Sequence, residues 1–233
     1  EEYTFLSSGT WSLLGISSKK MLEGESIVKN KISNEGTADG GYRPTVNIIG
    51  LWITQEIRRN FASQGRDYSF VQMAELASKE KPLQSFICPD DFMQPGDYIT
   101  KIREYCKQTG QPVPMTDGAL VRCILESLAL KYRQVYDTLK PYIHWEEKLY
   151  IVGGGSQNEL LNQFTANALG IPVITGESEA TAVGNVMSQM KALGLYHTRE
   201  EKCEILDHSF GTKVYEPKEK EAWQEAYARF CKL

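Results

Sequence analysis

Several features that would place a chain outside the ordinary globular class are missing from this sequence. It contains no apolar run long enough to cross a bilayer, no low-complexity tract and no internal repeat. No signal-like apolar segment follows the first residues, so we expect a cytoplasmic protein. The net charge of −4 favours neither a nucleic-acid backbone nor an anionic membrane as a partner. We therefore expect a small-molecule ligand.

The five cysteines show no metal-binding or disulfide pattern. Their number is odd, and no two of them have the C-x-x-C spacing of a zinc ligand pair. We expect reduced thiols, as is usual in the cytosol, and no metal site. Antiparallel packing of two predicted helices could bring Cys106 and Cys123 together, but two unrelated buried thiols are the favoured expectation. A chain of 233 residues can bury a full core without cross-links.

Three consecutive glycines connect a predicted strand to a predicted helix. The apolar run Leu149–Val152 predicts a buried strand, and Glu159–Leu169 has the apolar spacing of a helix. Glycine at positions 153–155 allows a positive φ and a close approach of the backbone to a ligand. The helix start that follows offers unpaired N–H groups and the positive end of the helix dipole. We therefore predict a phosphate-binding loop, and a strand at Pro172–Thr175 completes a β–loop–α–β unit.

The residues after the glycines limit the kind of nucleotide site. A Walker-type loop requires Gly-Lys followed by Ser or Thr, and no lysine follows here. A dinucleotide fingerprint requires a third glycine where Asn158 stands, although Glu177 follows the next strand as a ribose-binding acid would. An NAD-binding oxidoreductase stays open as an alternative, weakened because few strands follow the motif. One half of an actin-like ATPase, in which a glycine loop and a separate hairpin share the nucleotide, fits both motifs of this chain.

The second of these motifs is a predicted β-hairpin with a small, hydroxylated tip. Tyr3–Leu6 and Trp11–Ile16 have the pattern of strands, and the turn between them is Ser7–Thr10. Backbone N–H groups and the Thr10 hydroxyl at such a tip can bind phosphate oxygens. A plain hairpin turn is the alternative. We expect this tip and the three glycines to face one shared crevice.

Two further segments carry candidate ligand contacts. The stretch Ile32–Arg43 is rich in Gly, Asn and Asp, which is typical of a solvated loop or of the lip of a polar-ligand pocket, and Asp39 is either a turn former or part of that lip. The spacing of Val46–Phe61 predicts a helix, with Asn47 near its start and Gln55 on its mostly apolar face. Gln55 is therefore either a hydrogen-bonded core group or a ligand contact.

A long amphipathic helix from Thr116 or Asp117 to about Lys140 is predicted to pack under the sheet. Within it, Glu126 and Arg133 are expected to face solvent or to pair locally. Shorter elements are predicted as helices at Phe70–Ser78, Asp97–Thr109, Thr181–Leu193 and Lys218–Lys232, and as a strand at Gln84–Ile87.

Four segments in order along the chain resemble the carboxyl-terminal half of the FGGY sugar kinases. They are S-S-G-T-W-S-L-L-G-I (Ser7–Ile16), the N-E-G to I-T-Q stretch (Asn34–Gln55), E-S-L-A-L-K-Y (Glu126–Tyr132) and I-V-G-G-G-S-Q-N-E-L-L-N-Q (Ile151–Gln163). The resemblance runs nearly end to end over residues 1–233. It implies an α/β fold of the actin-like ATPase (ribonuclease H-like) class, with a mixed central sheet flanked by helices.

The same resemblance implies a set of site residues. Thr10 would lie near the nucleotide phosphates, Asn158 would approach the adenosine, and Asn47 would contact the sugar. The implied ATP-binding residues are Gly9, Thr10, Gln55, Gly153, Gly154, Gly155 and Asn158. ATP and Mg²⁺ are the implied cofactors, and no metal ligand is assigned in this chain.

The resemblance further implies that this chain is one lobe of a two-lobed enzyme. In the family, the catalytic aspartate and the amino-terminal lobe lie upstream of the hairpin, so we expect that partner lobe to precede Glu1 and this chain to be inactive alone. Neither Asp39 nor Asp117 is assigned as the base. The implied reaction is ATP-dependent phosphorylation of a sugar, with L-rhamnulose favoured over xylulose, fuculose or glycerol. A non-catalytic sensor on the same fold is a further alternative.

Overall fold

A computed structural model describes residues 3–38 and 40–233 of the chain. Seven strands in this part of the chain form one sheet. The strands are β1 (Thr4–Ser8), β2 (Trp11–Ile16), β3 (Ser33–Gly36), β4 (Tyr42–Ile49), β5 (Leu149–Val152), β6 (Val173–Thr175) and β7 (Lys213–Tyr215). The α-helices are α1 (Glu25–Lys29), α2 (Trp52–Ser63), α3 (Phe70–Ser78), α4 (Tyr98–Gln108), α5 (Asp117–Leu139), α6 (Glu159–Leu169), α7 (Ala180–Ala192), α8 (Arg199–Ser209) and α9 (Lys220–Phe230).

The sheet is mixed, and β1 lies in its middle. The strand order is β3-β4-β2-β1-β5-β6-β7. β1 pairs with β2 in antiparallel and with β5 in parallel orientation, and β5 and β6 are parallel neighbours. The predicted β–loop–α–β unit and the predicted mixed sheet are therefore confirmed. The carboxyl end of β5, where the glycines lie, is thereby adjacent to the tip of the hairpin formed by β1 and β2.

One face of the sheet is covered by α5 and α6 and forms the core; we call it the closed face. The pairing register places Leu14, Leu6 and Ile151 in one row across β2, β1 and β5, and each is at most 1% exposed. α5 starts after Thr116, whose side chain accepts a hydrogen bond from the Ala119 N–H and so caps the helix. Burial of each such leucine or isoleucine contributes about 1.5–3 kcal/mol.

The opposite face is less covered, and we call it the open face. The next row of the register consists of Asn47, Leu13, Ser7 and Val152 on four adjacent strands. Successive side chains of a strand point to opposite sides of the sheet, so this row faces away from α5 and α6. Asn47 is exposed, and Tyr150 of β5 is 40% exposed on the same side.

The predicted helix over Val46–Phe61 was wrong at its beginning. β4 continues to Ile49, and α2 begins only at Trp52. Val46 and its neighbours pair with β2, where β-branched side chains pack well. Gly50 makes the turn into the helix, because a Cβ there would come within 2.6 Å of the Gly9 carbonyl oxygen. Asn47 therefore belongs to a strand.

The expectation that Glu126 and Arg133 face solvent or pair locally holds only for the local pair of Glu126 with Arg122. Glu126 is 1% exposed, and its two carboxylate oxygens accept hydrogen bonds from the Leu83 N–H at 3.0 and 2.9 Å. Its one local partner is Arg122, which donates from Nε at 2.7 Å. Burial raises the pKa of Glu126 to about 7. The Arg133 guanidinium lies 4.0 Å from the Tyr227 ring centre in α9.

The five cysteines are free, as expected. The expectation that two of them are unrelated was wrong. Cys106 of α4 and Cys123 of α5 are both buried and adjacent. A hydrogen bond between the two thiols lowers the pKa of Cys106 and raises that of Cys123. The packing of two helices thus brings them together.

Other differences concern weakly patterned segments. The polar stretch 32–43 contains β3 and the start of β4, paired in antiparallel orientation, while Asp39 lies outside the described residues. Gln84–Ile87 is irregular rather than a strand, and α8 and β7 were not predicted. No helix among the described residues is both long and apolar enough to cross a membrane.

Candidate functional site

The hairpin tip between β1 and β2 is held by the start of α2. The Gly9 carbonyl accepts a hydrogen bond from the Leu51 N–H at 2.8 Å, and the Thr10 carbonyl accepts one from the Trp52 N–H at 3.1 Å. Gln55, one turn into α2, donates from Nε2 to the Thr10 hydroxyl oxygen at 3.0 Å. Gln55 is thus not a core group; it orients the Thr10 side chain at the tip.

The three glycines have different structural roles. Gly153 has φ of +88°, which favours glycine, and a Cβ there would lie 2.7 Å from the Ser8 carbonyl oxygen. A Cβ at Gly155 would overlap the Ser8 side chain. At Gly154, by contrast, a Cβ would meet no atom within 4 Å. Gly153 and Gly155 therefore let the loop pack on β1, and Gly154 exposes bare backbone to open space.

A helix begins directly after this loop. Residues 154–157 form a short 3-10 turn, and Asn158 caps α6 by accepting a hydrogen bond from the Leu161 N–H at 3.0 Å. The Asn158 amide oxygen is thereby occupied, so its NH₂ group is the part that can donate to a ligand. The amino end of α6 adds the positive end of a helix dipole at the same place.

These parts surround one cavity of about 750 Å³, which we call the tip crevice. Its polar side is formed by the hairpin tip, Gln55, Gly154, Gly155 and Asn158. The size is within the range of about 300–1,000 Å³ that is usual for ligand sites. The expectation that the tip and the glycine loop face a shared crevice is therefore confirmed. Gly153 packs behind the loop against β1 and is absent from the described lining.

The opposite wall of the tip crevice is apolar and was missed by sequence reasoning. It consists of one side of α3, including Phe70, Val71 and Ala74, together with Val121 and Leu125 of α5. Phe70 and Val71 are 48% and 68% exposed. Exposed apolar residues occur on any protein surface, so the sequence carried no specific signal for this wall. An apolar wall opposite N–H and hydroxyl donors suits a ligand with a ring at one end and an anion at the other.

Charge in the tip crevice comes from acids alone. None of its described lining residues is Lys or Arg, and its carboxylates are those of Glu75 and Glu159. Glu159 forms an ion pair with Lys213. An anion here would be held by backbone N–H groups, hydroxyls and the dipole of α6 rather than by a basic side chain.

Two sequence candidates lie elsewhere. Asn47 lies on the open face, opposite Leu13 in the register, and is not among the described lining residues of the tip crevice. Glu177, the acid of the dinucleotide alternative, turns back on the start of α7: its Oε1 accepts hydrogen bonds from the Ser178 N–H at 2.9 Å and from the Glu179 N–H at 3.3 Å. Hydrogen bonds with Ser178 and Glu179 lower the pKa of Glu177.

Comparison with known proteins identifies the family of this chain. Residues 4–193 match the model of the FGGY family of carbohydrate kinases, C-terminal domain. The chain is 43% identical over 231 residues to a rhamnulokinase of Bacteroides thetaiotaomicron, covering 98% of this chain and 47% of that protein. It is 38% identical to a rhamnulokinase of Bacillus subtilis, covering 93% and 45%. The chain thus spans about half the length of the curated relatives it matches.

Two solved structures with the same fold are a xylulose kinase and a glycerol kinase. A xylulose kinase from Rhodospirillum rubrum matches with a TM-score of 0.70 and 16% identity, covering 98% of this chain and 46% of that one. A Plasmodium falciparum glycerol kinase with ADP matches with a TM-score of 0.70 and 14% identity over the same shares. These likenesses confirm the predicted actin-like ATPase (ribonuclease H-like) fold. Because the family model covers most of its length, the chain belongs to the FGGY family of carbohydrate kinases.

Proposed function

We propose that this chain is the nucleotide-binding lobe of a kinase that transfers a phosphoryl group from ATP to a ketose, with L-rhamnulose as the preferred acceptor. The observation that carries the proposal is the tip crevice, where the hairpin tip, the glycine loop and the start of α6 converge. Support for the reaction class comes from the family match.

The fit of ATP to the tip crevice rests on two complementary walls. On the polar wall, the Thr10 hydroxyl and the bare backbone at Gly154 face the place where phosphates would lie. On the apolar wall, α3 offers Phe70, Val71 and Ala74 to the base. When bound, ATP supplies the phosphoryl group, and the chain contributes its placement, because phosphoryl transfer depends mainly on positioning and on charge stabilisation.

Mg²⁺ is proposed as the companion of ATP, because a metal ion neutralises phosphate charge in this chemistry. The described residues contain no group of three or more His, Cys, Asp or Glu side chains that could hold a metal ion. We therefore assign no Mg²⁺ ligand in this chain.

The acceptor side of the reaction is proposed to involve the open face and a second lobe. Asn47 on this face is the proposed sugar contact, and the catalytic base is proposed to lie in an amino-terminal lobe, in keeping with the half-length coverage of the relatives. L-Rhamnulose is favoured because the curated relatives are rhamnulokinases. Acceptor preference in kinases of this fold varies, since the structural matches include xylulose and glycerol kinases.

A nucleotide titration of the isolated chain tests the first half of the proposal. We expect ATP to bind and NADH not to bind, measured by calorimetry and by the rise of the thermal unfolding midpoint. Thr10→Val should weaken ATP binding by about 10- to 150-fold, since a hydroxyl hydrogen bond to a charged group contributes about 1.5–3 kcal/mol. Thr181→Val, on an exposed position of α7, is the matched control and should bind ATP normally. Preference for NADH would favour the oxidoreductase instead.

A turnover assay tests the second half. The isolated chain should not phosphorylate L-rhamnulose, because positioned general-base catalysis alone is worth about 10²–10⁴ in rate and the base is proposed to lie in the other lobe. A longer protein that carries both lobes should prefer L-rhamnulose to xylulose and glycerol. Robust turnover by the isolated chain would contradict the split site, and tight ATP binding without any sugar turnover by the two-lobed protein would favour a nucleotide sensor.

A further inference from the structure

One of the four family-like segments, Glu126–Tyr132 of α5, has no part in the proposed nucleotide contacts. Its last residue, Tyr132, is completely buried directly beneath the hairpin. The Tyr132 hydroxyl and the Ser12 hydroxyl oxygen are 2.9 Å apart and share a hydrogen bond. Ser8 lies beside the same phenol, and its own buried hydroxyl has no hydrogen-bond partner among the described residues.

The two serines are the residues that close the hairpin tip. Ser8 and Ser12 are register partners at the last pair of β1 and β2, so Gly9, Thr10 and Trp11 are the residues between them. Any tilt of this pair moves the tip, and with it the Thr10 hydroxyl. A single buried phenol therefore supports the tip from the closed face.

Two glycines make room for these serine hydroxyls. A Cβ at Gly50 would overlap the Ser12 hydroxyl, and a Cβ at Gly155 would overlap that of Ser8. The hydroxyl of Ser12 thus fits under the turn that leads into α2, and the hydroxyl of Ser8 fits under the glycine loop. The hairpin, the turn into α2 and the glycine loop therefore meet at this cluster of Tyr132, Ser8 and Ser12.

This cluster is suited to keeping the hairpin tip in a fixed position. Burial raises the pKa of Tyr132, so its hydroxyl stays neutral and can both donate and accept. α5 extends over 23 residues, from Asp117 to Leu139, through the core, which makes it a rigid base for the phenol. A small misplacement of a contact can cost about 100-fold in rate when a reaction depends on orientation.

We propose that Tyr132 is a positioning residue that fixes the hairpin tip through Ser12 and Ser8, and thereby sets the place of the Thr10 hydroxyl against the phosphates. This inference rests on the proposed ATP-binding function of the tip crevice. It assigns to α5 a role in phosphate placement, in addition to its role in the core.

The test compares Tyr132→Phe with Tyr136→Phe in the same chain. Tyr136 lies one turn further along α5, is likewise buried, and its hydroxyl faces Glu147 instead of the hairpin. Both variants lose one buried hydroxyl, although that of Tyr136 has no hydrogen-bond partner among the described residues. A merely structural role of Tyr132 would lower the thermal midpoint of Tyr132→Phe and leave ATP affinity unchanged. We expect Tyr132→Phe alone to weaken ATP binding, by about tenfold, as for the loss of a hydrogen bond that orients a contact.

A second set of variants keeps the inference testable if Tyr132→Phe folds poorly. Ser12→Ala should weaken ATP binding as Tyr132→Phe does, and the double variant should be little worse than either single one, because both act through one contact. In the two-lobed protein, kcat and the KM for ATP should change while the KM for the sugar stays the same.

The outcomes separate the two claims. If the unaltered chain binds no ATP, the proposed function fails. If it binds ATP and both Tyr132→Phe and Ser12→Ala bind it equally well, the function stands and the positioning role of Tyr132 is wrong. Equal losses in Tyr132→Phe and Tyr136→Phe would also overturn the positioning role.

Discussion

The two faces of the central sheet differ in what covers them. On the closed face, Leu6, Leu14 and Ile151 are at most 1% exposed under α5 and α6. On the open face, Tyr150 is 40% and Tyr3 is 38% exposed. The same strands supply both faces, so strand pairing cannot explain the difference. The helices that follow in the chain decide it.

Because of this difference, we propose different functions for the two faces of the lobe. The helices that seal the closed face also build the tip crevice, since α5 and α6 both contribute to its lining. The proposed nucleotide side is therefore largely preformed within this chain. The open face, which carries Asn47, is the side on which we propose that the acceptor binds with help from a second lobe.

The largest expected contrast comes from truncating one buried side chain on the closed face and one exposed side chain on the open face. Leu6→Ala removes a fully buried side chain and should lower the free energy of unfolding by about 2–5 kcal/mol. Tyr150→Ala on the open face should lower it by about 1 kcal/mol, because less apolar area leaves the protein interior. Urea denaturation measures both. Equal losses would show that the open face is covered in solution.

The glycine loop offers a sharper contrast between neighbours. Gly155→Ala forces a Cβ into the Ser8 side chain and should destabilise the fold by about 1–3 kcal/mol. Gly154→Ala adds a Cβ that meets no atom within 4 Å, so the thermal midpoint should not fall. Because that Cβ would narrow the tip crevice, Gly154→Ala should instead weaken ATP binding. A stable Gly155→Ala protein would contradict the close packing of this loop on β1.

The buried carboxyl group of Glu126, in the helix that covers the closed face, should make the free energy of unfolding depend on pH. The pKa of Glu126 is raised from 4.5 to about 7 by burial, so the folded protein keeps this proton when the unfolded chain has lost it. The stabilising effect of that proton is complete below about pH 4.5 and is lost as the pH rises through about 7. Relative to Glu126→Gln, the natural chain should therefore lose about 1–3 kcal/mol between about pH 5 and pH 8.

Denaturation of both proteins across this pH range measures that difference. Glu126→Gln keeps the shape of the side chain and removes its titration, so it serves as the reference. A natural chain that gained stability relative to Glu126→Gln as the pH rises would show that the hydrogen bonds from Arg122 and Leu83 outweigh burial.

The smallest expected effect concerns the exposed hydrogen bond at the hairpin tip. Gln55→Ala removes the donor to the Thr10 hydroxyl, which should weaken ATP binding about fivefold to tenfold with little change in stability, since one exposed bond contributes about 1 kcal/mol. Gln55→Glu places a negative charge beside the phosphates and should weaken binding further. Unchanged ATP affinity in both variants would show that the tip is oriented by its backbone bonds alone.

Local sequence patterns correctly predicted the elements whose residues fit only one type of secondary structure. α6 was predicted with its observed bounds because its apolar spacing is regular, and in the structure the Asn158 cap and Gly170 mark the same two ends. The hairpin was predicted for the same reason. β4 was confused with a helix, since its residues also fit helical spacing and only pairing with β2 decides between the two. α8 was missed because its apolar stripe is weak.

Sequence reasoning identified the loops of the candidate site but not its apolar wall. Gly154 and Thr10 were identified because glycines after a strand and a hydroxylated turn are signals by themselves. The α3 wall, with Phe70 and Val71, has no local signature of ligand contact, since exposed apolar residues occur on any protein surface. Only the position of α3 opposite the glycine loop shows that these residues line the crevice.

The amino-acid sequence by itself determined the family, the strand–glycine–helix unit and the hairpin, because each depends on residues that are neighbours in the chain. Tertiary structure alone decided which side of the sheet each residue faces. It placed Asn47 on the open face, buried Glu126, and set Tyr132 beneath a hairpin 120 residues away in the chain. These outcomes depend on long-range packing, and a contact between distant residues leaves no periodic pattern in either segment.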